Sequence, residues 1–126
     1  MATVTIAPQA AGVSLPEAVK WFTWTPLTTT NDVGSWLYVG PYTDISVHVY
    51  GTFGAGGTLK IEGSNEIGAP SNQVVLTDQS DNLLSFTVAG MESVMQSPVQ
   101  IRPHVTAGDG ATSLTVAIKL TTGARR

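Results

Sequence analysis

An all-β domain, built as an antiparallel β-sandwich of jelly-roll-like type with seven to nine short strands, is the fold class that the sequence predicts. Three observations carry this expectation. Apolar residues alternate with polar ones at period two in several stretches, most cleanly at Leu114, Val116, Ile118 and Leu120 and at Ile45, Val47 and Val49. Clusters of Gly, Pro, Asn, Asp and Ser punctuate those stretches. No amphipathic segment is long enough to form a helix that is stable by itself.

Taken in order, Thr3 to Ala7 alternates Val4 and Ile6 against threonines and is either a short strand or an arm that pairs with a sheet edge, its own or a neighbour's. Pro8 to Gly12 interrupts it, and Leu15 to Lys20 has room for one helical turn with Pro16 at its first position. Trp21 to Thr25 is a strand that places Phe22 and Trp24 on one face and Trp21 on the other, so one tryptophan is expected inside and one at an edge or interface. Pro26 ends that strand or puts it at an edge, and Thr28 to Gly34 is loop chemistry.

Ser35 to Val39 resumes as a strand with two apolar faces, closed by Gly40-Pro41. Thr43 to Ser64 reads as a β-hairpin, two alternating runs joined by Gly54-Ala55-Gly56-Gly57, where residues that accept positive φ suit a tight reversal. Gln73 to Thr77 and Leu83 to Val88 form a second hairpin around Asp78 to Asn82. Met91, Val94 and Met95 have helical spacing, but Gly90 and Pro98 confine any helix there to about two turns. Val99, Ile101, Pro103 and Val105 alternate with Gln100, Arg102 and His104, and the proline implies an edge or a bulge.

The length of 126 residues and mass of 13.2 kDa suit one domain, divided into an N-terminal arm over 1–12 and a sandwich over 13–126. The chain has no cysteine, which removes disulfides and thiolate chemistry. Residues 1–13 carry no basic residue and no sustained apolar run, so neither a secretory signal nor a membrane anchor is expected there. A net charge of −3 with only six Lys and Arg argues against a nucleic-acid surface.

Charged residues make up 12% of the chain, about half of the roughly 25% usual in soluble domains. Interface cores are depleted in charge, so this composition points first to a surface covered by other subunits and second to a surface of Thr and Ser hydroxyls that is soluble without help.

Catalytic chemistry finds no foothold. His48 and His104 fall on the polar faces of strands, with no short His or Asp spacing to make a metal site. Asp78, Asp81 and Asn82 lack the spacing of a calcium loop, and Gly108-Asp109-Gly110 precedes a strand where a phosphate-binding loop would precede a helix. No catalytic residue, metal or cofactor is assigned, and a non-enzymatic role is expected. Candidate interface residues are Thr3, Val4, Thr5 and Ile6 of the arm together with Trp21 and Trp24.

Three stretches, Ile45 to Gly54, Thr58 to Asn65, and Ile101 to Val105 with Gly108-Asp109-Gly110 and Leu114-Thr115-Val116, resemble the head decoration, or capsid cement, proteins of tailed bacteriophages. The resemblance spans about half the chain, from Thr43 onward. It implies a β-sandwich, often a homotrimer, made in the host cytoplasm, that sits on the outside of the shell and clamps neighbouring copies of the major capsid protein. Two other readings stand beside it: a carbohydrate-binding or host-attachment module that uses a tryptophan, and a structural protein of the phage tail or neck.

Overall fold

The computed structural model describes residues 3–5, 7–8 and 19–122. Twelve strands are present among them: β1 (Thr3–Val4), β2 (Ala7–Pro8), β3 (Val19–Leu27), β4 (Val33–Gly34), β5 (Leu37–Tyr38), β6 (Asp44–Thr52), β7 (Thr58–Ser64), β8 (Val74–Val75), β9 (Ser85–Phe86), β10 (Gly90–Ser93), β11 (Gln100–Ala107) and β12 (Ser113–Thr121). The count exceeds the expected seven to nine because six of them are two-residue strands, too short for alternation to reveal.

The strands form two sheets. One has seven strands in the order β1-β4-β11-β7-β8, with β5 also on β11 and β9 also on β7. The other has five in the order β10-β6-β12-β3-β2. All pairings are antiparallel except β1 with β4. Between the sheets lies one core, in which Ile45, Val47 and Val49 from β6 and Leu114, Val116, Ile118 and Leu120 from β12 meet Leu59 and Ile61 from β7 and Ile101 and Val105 from β11. The alternation marked the inward residues correctly, because period-two side chains leave opposite faces of a strand.

The stretch from Thr43 to Ser64 is not a hairpin. β6 pairs with β10 and β12, whereas β7 pairs with β11, β8 and β9, so the two runs lie in opposite sheets. The glycine-rich link is an arch that carries the chain across the core, with Gly54 and Gly56 at φ 72° and 69°. A second arch, Gly108 to Thr112, takes the chain back from β11 to β12.

The two arches are fastened to each other. Asp109 Oδ2 accepts the Ala55 amide at 2.9 Å and Oδ1 accepts the Ala111 amide at 2.9 Å. Those two amides, Ala55 first, hold the Asp109 carboxyl below the usual carboxylate range. The buried Thr112 hydroxyl donates to the Phe53 carbonyl at 2.7 Å.

Two further expectations are revised. The segment around Met91 is strand β10, because its backbone pairs with β6 over Gly90 to Ser93. Pro26 does not end β3. It sits in a bulge, where Thr25 and Pro26 face the single residue Thr115 between the pairs Trp24–Val116 and Leu27–Leu114, a position that needs no ladder hydrogen bond from proline.

Pro103 lies within an inner strand, yet its partner Ile61 directs its own N–H and C=O to Leu84 and Leu76. The nitrogen of Pro103 therefore faces the gap between β4 and β5, which is a local edge. The second hairpin is present as a bridge between Thr77 and Leu83, with the Asp78 to Asn82 turn between them. The helical turn over Leu15 to Lys20 falls almost wholly outside the described residues; Val19 and Lys20 belong to β3.

Candidate interaction surface

Each sheet has an outer face, and among the described residues only one is open. On the seven-stranded sheet the outward residues of β7 and β11 are polar, and Glu62, Arg102 and His104 among them bond to one another. Glu62, 8% exposed, receives Arg102 Nε at 2.9 Å on Oε1 and lies 3.0 Å from His104 Nδ1 on Oε2. The other ring nitrogen of His104 lies 3.7 Å from Asp32 Oδ2. Trp36 covers the cluster, its ring 4.6 Å from the Arg102 guanidinium carbon in a cation–π contact.

A loop seals the adjoining end of the same face. The buried Gln100 amide donates to the carbonyls of Glu66 and Gly68 at 3.0 and 3.2 Å. Glu66 in turn gathers its own loop by accepting the Ser71 and Asn72 amides at 2.8 and 2.9 Å. The Asn72 amide, followed by that of Ser71, lowers the Glu66 carboxyl below its ordinary range.

The five-stranded sheet presents a different outer face. Register places Met91, His48, Ala117 and Thr23 in one row across β10, β6, β12 and β3, and Ser93, Ser46, Lys119 and Trp21 in the next. Tyr50, Thr115 and Thr25 follow, the two threonine hydroxyls 2.8 Å apart and the Tyr50 ring tilted against His48 with centroids 4.8 Å apart. Trp21, Ser46, His48, Met91, Ala117 and Lys119 line a shallow depression in this face. Met91 is 61% exposed and Tyr50 40%.

The candidate interface residues separate. Trp24 is a core residue, 1% exposed, with its indole N–H donating to the Ser35 carbonyl at 3.0 Å, so it is removed as a surface residue and Trp21 is the half-buried one of the pair. Val4 also joins the core, because Thr3 and Val4 pair with Val33 and Gly34 of the same chain. Thr3 and Thr5 are exposed, and Ile6 lies outside the described residues.

His48, Lys119, Tyr50 and Met91 were not singled out as interface residues. The signal that could have found them is the outward half of the β6 and β12 alternation, which contrasts small and aromatic side chains with the charged outward half of β7 and β11. Among the described residues no group of three His, Cys, Asp or Glu side chains could hold a metal ion.

These features define a two-sheet β-sandwich with one outer face closed by its own side chains and the other open. No protein-family model matches the sequence, and no curated protein sequence matches it. Among solved structures, the fold is similar to that of YomS, a protein derived from the SPBc2 prophage. The TM-score is 0.57 and the identity 14%, over 87% of this chain and 100% of YomS. At that identity the likeness is one of fold.

Proposed function

We propose that the chain is a structural virion protein that decorates a bacteriophage capsid, binding the outer surface of the shell as an oligomer and stabilising it without catalysing a reaction. The observation that carries this reading is the open, charge-poor face of the five-stranded sheet, on a fold shared with a prophage-derived protein. A free monomer gains nothing from such a face, whereas an assembling subunit covers it. The sequence resemblance to capsid cement proteins supports the same reading, with the major capsid protein as partner.

Cryo-electron microscopy of particles purified from a phage encoding this chain tests it. Density for a two-sheet sandwich on the outside of the head is the expected result; density confined to the tail or neck, or none, overturns it. Removing residues 1–12 is a poor probe, since it strips Val4 from the core. Lysines at the exposed Thr3 and Thr5 test the arm directly, and undiminished head binding by that double variant removes the arm from the interface.

A second reading, a carbohydrate-binding or host-attachment module, is favoured by half-buried Trp21 beside Lys119 and His48 in the shallow depression. An aromatic ring flanked by donors suits a sugar ring. A glycan panel with no binding at millimolar sugar removes it.

A further inference from the structure

We infer that the outer face of the five-stranded sheet packs against the same face of a second copy of this chain, related by a two-fold axis. The inference rests on the reading that the chain works as an oligomer, and it names the surface through which the copies meet. The threefold assembly that the sequence resemblance implies is the competing outcome of the test.

Charge is the first argument. The outward residues of β3, β6 and β12 include one carboxylate, Asp44, and one ammonium, Lys119. The register sets Lys119 opposite Ser46 and Asp44 opposite Thr121, so the two charges lie on neighbouring strands two residues apart along the sheet. A face with one charge of each sign is neutral as a whole, so two copies can meet on it without like-charge repulsion. Such self-complementarity is what an isologous interface requires.

Relief is the second argument. Stacked sheets interdigitate their side chains across about 10 Å, so a matching face needs projections and hollows in alternation. Trp21, Met91 and Tyr50 project, while Ser93, Ser46 and Ala117 are low. Ala117 lies between His48 and Thr23 at the centre of its row, a floor on which a projecting side chain of the second copy can seat.

Area is the third. Strands of nine residues at about 3.3 Å per residue, three of them flanked by shorter ones at about 4.8 Å spacing, give a face on the order of 600 Å² before side-chain relief is added. Standard interfaces bury about 800 Å² per partner. Two such faces bury on the order of 1,200 Å² in total, the low end of the range for specific interfaces, which fits a dimer of modest affinity. The outer face of the other sheet offers no such area, since Trp36 and the Glu66 loop already lie on it.

The test is sedimentation velocity of the full chain across roughly 1 to 200 μM, the range in which an interface of modest size dissociates, beside Met91→Glu and Ala117→Arg. The wild type is expected to pass from the 13.2 kDa chain mass to twice that mass with concentration. Both variants should weaken pairing at least about tenfold, the effect of a charge placed in an interface core. Met91 is exposed at the sheet edge, so M91E keeps the test valid if A117R misfolds, and circular dichroism checks both.

Lys119→Asp should weaken pairing, and the exchange Asp44→Lys with Lys119→Asp should recover it. A strict monomer at every concentration, a trimer, or an oligomer indifferent to M91E and to a folded A117R overturns the inference. Head binding is scored separately: a wild-type dimer missing from phage heads overturns the decoration reading alone, and a wild-type trimer on heads overturns only the two-fold pairing.

Discussion

The two outer faces are built from strands with the same alternating pattern, yet they reach opposite ends. On β7 and β11 the outward positions hold Lys60, Glu62, Arg102 and His104, where Glu62 bonds to both Arg102 and His104 and the Trp36 ring lies on Arg102. On β6 and β12 they hold Ser46, His48, Tyr50, Ala117 and Lys119, and among the described residues no loop crosses them. On one side the charged groups fasten to one another, and on the other the two that remain, Asp44 and Lys119, lie among small and aromatic side chains.

The contrast breaks most severely at Arg102. Arg102→Ala leaves the Glu62 carboxylate, 10% exposed at its side chain, without its guanidinium and takes away the support of the Trp36 ring. Urea unfolding should show a loss of about 3 kcal/mol, since removing one partner strands a largely buried charge. Replacing Glu62 and Arg102 together by Leu and Met should cost less than the single change, and a double-mutant cycle measures the difference.

Gly34→Ala is expected to come next, at about 2 kcal/mol from overpacking. An added Cβ there would lie 2.5 Å from Trp24 Cδ1 and 2.6 Å from Pro103 Cδ, so the strand pair under the closed face must shift.

Acid tests the loops that fasten the fold. Backbone amides depress the Glu66, Asp78 and Asp109 carboxyls, led by those of Asn72, Asn82 and Ala55 respectively. A depressed folded-state pKa means that the unfolded chain takes up protons first as the pH drops. The stabilisation is complete above the ordinary carboxylate range of about 4 and is lost as the pH falls through the lower folded-state values. Thermal midpoints measured downward from neutrality should hold to about pH 5 and then decline, and Asp109→Asn should flatten that decline while lowering the neutral value.

The open face should respond least. Trp21→Ser and Lys119→Gln are expected to change the stability of the monomer by no more than about 0.5 kcal/mol, measured at a concentration too low for pairing. A larger loss for either would mean that these side chains hold the domain together, and the contrast between the faces would fail.

Much of the fold was legible. The apolar positions of β6, β7, β11 and β12 are the ones that line the core, and the divergence of Trp21 from Trp24 followed from strand parity. Partnership was not legible. Gly54 to Gly57 suits a hairpin turn and an inter-sheet arch equally, because glycine permits both, and alternation says which way a side chain points without saying which strand lies beside it. The closed face was hidden for the same reason. Glu62 and Arg102 each occupy a polar position, and only the register that pairs them across forty residues of chain makes them a buried ion pair. The Met91 segment misled because three apolar residues at helical spacing also fit an edge strand followed by a loop that buries Val94.

The position of β12 bears on biosynthesis. It is the inner strand joining β6 to β3, and it follows both in the chain. While a ribosome is still making the residues before Ser113, β6 and β3 have no strand between them, and the five-stranded sheet exists only in pieces. The sheet and its outer face are therefore completed in one late step. Until β12 has emerged, nascent chains crowded on one message carry no finished five-stranded face.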